Sequence, residues 1–458
     1  MEAAVKRVIR RTVMIMLAGF SVIMFSPAVL AVDVESSMRA ALGNSASLAA
    51  ARQSWVAARE NIGVNAVTTD WSATGNFTGT RSQTDSATSS GFVNSTSAAA
   101  SITLSKNLYD GGQTEEGTKL DLIMLRAETA GYESVEQNVL MGAIEAHLAV
   151  VKAQRDVVLN EDNAKRMQAH VNAARVRLEA GAATPTRLAE AEARYARAKS
   201  TLIIARTALR NAEDEFHSIT GNEAVQLAVP AVGSTLPTSL ADAEEIGRTE
   251  HPDIRRVEAN EDAAMQGFDT LLSSVKPKVS FDLSASDTNA TGTASDKTVL
   301  SAQIKLTTPL MVTTATRAKS RNLSAKLAAA QFARDDMLRQ VGLNVRKNFR
   351  SLETARSQVT AVQAEVEASR LVADGIRNEF EFGQKTSLDV QDAEQDVNDA
   401  ELRLVSAQHD LLLSAYRLQA ALGRLTSRAL GLDDVLGPLE GEASPAPYFS
   451  SILPFSGK

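Results

Sequence analysis

The chain has 458 residues, a formal net charge of −7 and no cysteine. These figures exclude a disulfide framework and an N-terminal lipidated cysteine, and they offer no basic surface to nucleic acid. Aromatic residues make up only 4% of the chain while Ala, Ser and Thr abound, a composition that suits long helices packed through small side chains better than several globular cores.

At the start, Lys6, Arg7, Arg10 and Arg11 precede an apolar run from Val13 to Phe25 that Pro27 closes, and Val29 to Ala31 offers small residues to a signal peptidase. The pattern predicts a secretory signal peptide over 1–31, since an uncleaved anchor would need about 20 apolar residues. A helix is expected over 32–65. Trp71, Ala73, Gly75, Phe77 and Gly79 then alternate with polar residues, and Ile102 and Leu104 continue the alternation after a Ser/Thr-rich loop near 84–94. This predicts a first β-hairpin within 66–113. From Gly117 to Leu178 two apolar stripes at helical spacing predict a rod of about 93 Å at 1.5 Å per residue. Gly181 permits a reversal, and the Thr184-Pro185 pair begins a return helix that stops at Gly221, completing a helical hairpin over 114–221.

The chain then repeats itself. Gly181 and Gly221 recur as Gly383 and Gly423 at an offset of 202, and the apolar positions between them recur in register: Ala191, Ala198 and Ala205 become Ala393, Ala400 and Ala407. Their mean spacing of about 3.5 residues is that of a coiled-coil seam. The second copy comprises a linker (222–238), a helical segment (239–274) in which Pro252 starts a fresh helix, a hairpin (275–315) with a loop near 287–296, and a helical hairpin (316–423). A loosely held tail ends the region 424–458. Lead-in segments match at 206 rather than 202, read here as a first β-hairpin shorter by four residues. Each copy has strands with one apolar and one polar face. In an exported chain such strands resemble the wall of an outer-membrane barrel, yet four cannot close, so copies of the chain must share one barrel.

Leu104 to Gly112 (LSKNLYDGG) and the spacing of Phe380, Gly383, Thr386, Asp389, Val390, Asp392 and Ala393, followed by Ala421 to Gly423, resemble the TolC family of outer-membrane channel-tunnels. The resemblance implies a mainly α fold with a small β part. Duplicated coiled-coil hairpins would form an α-barrel, four strands per protomer would enter a shared 12-stranded transmembrane barrel, and 222–238 and 424–458 would lie in an equatorial belt. It further implies a homotrimer in outer-membrane lipid that docks with a periplasmic adaptor and an inner-membrane ABC or proton-driven transporter. The exit duct so formed would serve an efflux pump or a type I secretion system.

By position, Asp389 and Asp392 match the family's inward-facing aspartates at the periplasmic entrance, with Gly181 and Gly383 at the hairpin tips. The two acids are three apart on one helix face, so three copies would converge six carboxylates on an axis. Phe380 stands where the family can place a gate tyrosine and Arg187 where it has an aspartate, which removes a tyrosine-to-aspartate latch; Lys385 keeps a cation. Arg187 is expected to pair instead with Asp389, Asp392 or a neighbouring Glu. His147, His170, His217, His251 and His409 show no metal-ligand spacing, and no catalytic group, metal or cofactor is expected. The rival reading is an exported coiled-coil filament or adhesin without a pore.

Overall fold

A computed structural model describes residues 32–66, 70–85, 92–230, 236–291, 296–311, 313–436 and 439; the expected signal peptide and the tail beyond 439 lie outside the described residues. Two continuous helices carry the architecture: α3 (Gln113–Glu179) and α7 (Thr314–Glu381). Shorter helices are matched to them end to end. Along the lower half run α4 (Pro185–Thr220) and α8 (Ser387–Ala421), and along the upper half α2 (Ala46–Ala66) and α6 (Pro252–Ser274). In the lower half α3 touches α4 on one side and α8 on the other, while α8 packs on α7, giving the lateral order α4, α3, α8, α7. Short helices α1 (Val34–Asn44), α5 (Leu240–Glu250), α9 (Ser427–Leu430) and α10 (Asp433–Leu436) gather near the middle.

The stretch read as one N-terminal helix is two. The chain breaks at Ser45, whose hydroxyl accepts the Leu48 N–H at 3.2 Å and caps a new helix. The same joint recurs where α5 meets α6. Gly221 ends α4 against Asn44, whose amide donates to the carbonyls of Ser218 and Ile219, and Gly423 ends α8 against His251, beside a bidentate Arg424–Glu250 pair at 2.7 Å. The apolar core sits around these joints: Met38, Leu42, Leu140, Ile144 and Leu425 on one side, Ile254, Val345, Leu418 and Leu422 on the other. Below it the seams thin to alanine. Ala191, Ala198 and Ala205 of α4 and their counterparts in α8 are all buried, as the seven-residue spacing requires.

Four antiparallel strands in the order β1-β2-β3-β4 form one sheet: β1 (Ser72–Asp85), β2 (Phe92–Tyr109), β3 (Lys278–Thr291) and β4 (Lys297–Thr307). The strands run further than expected, into both Ser/Thr-rich stretches read as loops. Polar cross-strand bonds extend them, with Ser82 and Ser95 hydroxyls 2.7 Å apart and Thr298 donating to Asp287 at 2.6 Å. At equivalent bases Ser72 pairs with Ser105 and Lys278 with Thr307, separations of 33 and 29 positions, so the first hairpin is the longer by four, opposite to expectation. Register places Ala73, Gly75 and Phe77 across from Leu104, Ile102 and Ala100, which in turn face Leu283, Ala285 and Asp287. One face is therefore apolar across all four strands from the level of Ala73 to that of Gly75, with Leu104, Ile102, Leu283, Ala285, Ala302 and Leu300, and turns polar one step further at Asp287 and Thr298. It is also uncovered: Phe77, Ile102, Leu300 and Ile304 are between 66% and 80% exposed. No helix among the described residues is long and apolar enough to cross a membrane.

Candidate channel entrance

The two helical hairpins reverse by the same device. Gly181 and Gly383 adopt φ of +71° and +73°, and the residue after each donates back to the preceding helix, Ala182 to the Arg177 carbonyl at 2.8 Å and Gln384 to that of Glu379 at 2.9 Å. Beyond the turn the copies diverge. Thr386 and Asp389 form a reciprocal capping box, the Thr386 hydroxyl accepting the Asp389 N–H while the Asp389 carboxylate accepts the Thr386 N–H at 2.7 Å. In the first tip Arg187 occupies the Asp389 position, and Thr184 makes no side-chain cap.

Asp389 is thus a helix cap before it is anything else. The bonds from the Thr386 backbone and hydroxyl hold its carboxyl below the usual range, with smaller through-space help from Lys385 and Arg187. Arg187 does not bond it. Its guanidinium meets Glu190 of its own helix at 3.3 Å, the neighbouring-Glu alternative among the expected partners. Asp392 is instead held by Arg194 of α4 at 2.6 Å, a pairing the spacing gave no reason to expect. Lys385 is exposed and makes no ion pair among the described residues. Phe380 does bind, through its ring: the Arg177 guanidinium of α3 lies 5.2 Å from its centroid.

Above the tips lies a link that the sequence reading missed. Glu394 of α8 is buried, and its carboxylate accepts from His170 of α3 and Arg377 of α7, both at 2.9 Å. Burial pushes the Glu394 carboxyl up, but the His170 and Arg377 bonds outweigh it and leave the group below its ordinary value. Asn163 donates to Gln395 at 3.2 Å in the same interface. The contact of α3 with α8 joins the first hairpin to the second; it is apolar near the joints, where Leu148 and Leu412 share a cluster, and polar in its lower part. Buried side-chain oxygens of Asn163, Gln391 and Asn398 have no hydrogen-bond partner among the described residues. The seam within the first hairpin is apolar by contrast at this level, with Ala164, Met167 and Ala198 packed together. A polar joint is the one whose separation costs least, because water satisfies what the partner released.

The sequence family model described as "Outer membrane efflux protein" matches residues 38–222 and 247–424. Over 339 residues the chain is 30% identical to outer membrane efflux protein BepC of Brucella suis, covering 74% of each chain. It is 22% identical over 313 residues to alkaline protease secretion protein AprF of Pseudomonas aeruginosa, covering 66% of this chain and 64% of that one. Among solved structures it is similar to CusC (TM-score 0.72, 15% identity, 85% of this chain and 92% of that one) and to the open state of the Neisseria gonorrhoeae MtrE outer membrane channel (TM-score 0.67, 18% identity, 85% and 88%).

Proposed function

The chain belongs to the outer membrane efflux protein family, and from that placement in the outer membrane, reaching into the periplasm, we propose that three copies assemble into one continuous exit duct. A single observation carries the reading. The sheet ends in two open edges, β1 and β4, and bares an apolar face, so a lone chain in lipid would leave two rows of backbone groups unpaired. Three copies supply twelve strands, within the range of closed bacterial barrels.

The helices support the same assembly. The lateral helices α4 and α7 carry exposed Ile203, Ile204, Leu371 and Val372, apolar surface that a neighbouring copy would cover. In the trimer Asp389 and Asp392 would bring six carboxylates to the periplasmic entrance and favour cations there. Arg177–Phe380, His170–Glu394–Arg377 and Arg194–Asp392 would keep the second hairpin against the first, and the duct would open when a periplasmic adaptor and an inner-membrane transporter separate them. An ABC exporter or a proton-driven pump fits this role equally, the conduit itself being passive.

The test is reconstitution of the full chain in planar bilayers. Stepwise ion conductance from a detergent-stable trimer supports the proposal; a monomer that carries no current refutes it. Deletion of the gene, scored for protein secretion and for tolerance to toxic small molecules, assigns the partner.

A further inference from the structure

The apolar face of the sheet ends on its helix side in a cluster of rings around one cation. Trp71 and Phe281 meet edge to face with centroids 6.0 Å apart, and Lys106 Nζ lies 5.4 Å from the Trp71 centroid. Register fixes the side: Lys106 pairs with Phe281 and stands beside Leu104 in the same alternation, so it belongs to the apolar face. A bulge between Asn107 and Tyr109 sets Tyr109 across from Val279 and turns a third ring to that side. Lys106 makes no ion pair among the described residues, and Trp71, Val279, Phe281, Ile304 and Leu306, which share its level, carry no carboxylate. At the other end of β1 the same face reaches Arg81, ten residues above Trp71. That separation is about 34 Å along a strand at 3.4 Å per residue, or about 26 Å along the membrane normal at a tilt of roughly 40°. Between these two cations the face is an apolar band from the Trp71 level to that of Gly75, Ile102, Ala285 and Leu300, and beyond that Asp287 interrupts it, its carboxylate accepting from Thr298 at 2.6 Å.

We infer that Lys106, flanked by Trp71, Tyr109 and Phe281, is a seat for the phosphate of an inner-leaflet glycerophospholipid. The inference rests on the sheet crossing the outer membrane as proposed above. α3 begins at Gln113, seven residues after Lys106, so this end of the band faces the periplasm and the phospholipid leaflet. A lysine on a lipid-facing wall keeps its charge by placing its ammonium at headgroup level, and rings with one apolar and one polar edge are stable at that depth. The anion that occurs there in quantity is lipid phosphate. Its acyl chains would lie along Leu104, Leu283 and Ile304.

The experiment uses the full-length assembly extracted in mild detergent and weighed by native mass spectrometry after addition of phosphatidylglycerol or a diacylglycerol of equal chain length. Wild type should retain the phosphatidylglycerol about tenfold better. Lys106→Gln should lose that preference, while Lys305→Gln, on the polar face, should keep it. Equal retention of both lipids by wild type, a preference that survives Lys106→Gln, or displacement by millimolar inorganic phosphate, which would mark a bare anion site, each overturns the inference. Bilayer conductance of Lys106→Gln reports the pore separately and should equal that of wild type.

Discussion

Substituting Glu394→Gln tests whether the link between hairpins closes the entrance. The carboxylate is about one-tenth exposed and takes one donor from α3 and one from α7. A hydrogen bond to a charged group contributes about 1.5–3 kcal/mol, but half-exposed Arg377 is screened by solvent and its share is no more than about 1 kcal/mol. A glutamine of the same shape still accepts one of the two bonds. The net loss is about 1–2 kcal/mol per subunit, a factor of about 5–30 in the ratio of closed to open entrances. Single-channel recording at neutral pH should show that increase in open probability. Wild type should approach the same behaviour in acid, because a carboxyl held below its ordinary value near 4.5 stabilises the link above that pH and ceases to as pH falls through the depressed value. The Glu394→Gln variant should lack that share of the acid response. A Glu394→Gln trimer, intact by mass, with wild-type open probability would refute the reasoning.

Charge reversal at Arg187 should raise conductance less than reversal at Arg194, since Arg187 bonds only within its own helix; equal effects in bilayer recordings would contradict the assignment. Gly383→Ala and Gly423→Ala share a positive φ but not a surrounding. At Gly383 a Cβ meets open space and the cost is the left-handed backbone alone, about 1–2 kcal/mol, whereas at Gly423 it would lie 2.6 Å from the His251 Cα, so thermal unfolding should fall several degrees further for Gly423→Ala. Buried His147 has both ring nitrogens engaged, one with the Ser37 hydroxyl at 2.9 Å and one with the Ala228 carbonyl at 2.8 Å, and burial holds its pKa below 6.5. The unfolded chain binds that proton more readily, so stability is full above about pH 6.5 and declines on acidification below it. The melting temperature should fall accordingly, and His147→Gln should flatten the slope.

The duplicated frame was legible because the features that set it are local and repeated. Glycine at a reversal, threonine before a helix, and alanine every seventh residue each act through the backbone of one segment, and a constant offset of 202 exposes them in pairs. The sheet's two faces were legible for the same reason, although its length was not: Ser and Thr read as loop until the partner strand supplies a hydroxyl to bond. The entrance was legible only in part. Asp389 and Asp392 share a helix face, and their spacing says so, but which cation meets them depends on how two hairpins far apart in sequence are placed. Arg194 lies 198 residues from Asp392, His170 lies 224 from Glu394, and neither separation has a pattern to read.

What the offset does show, once the hairpins are seen side by side, is that an equivalent backbone was given opposite charge. Residues 175–194 carry four arginines and three glutamates, a balance of +1, while the equivalent 377–396 carry Arg377 and Lys385 against six acids, a balance of −4. Two copies that kept one charge pattern would repel at the tips; the diverged pair attracts across the polar joint, and in the proposed duct that attraction would hold the entrance closed. Sign, and not the identity of one residue, would then decide closure. Arg194→Asp and Asp392→Arg should each raise open probability, by about two- to fivefold for a pair this exposed, and the double exchange should return it toward wild type because opposite charges again face one another. Recordings in which the double variant opens as freely as the two single changes combined would show that attraction between the hairpins is not what keeps the entrance shut.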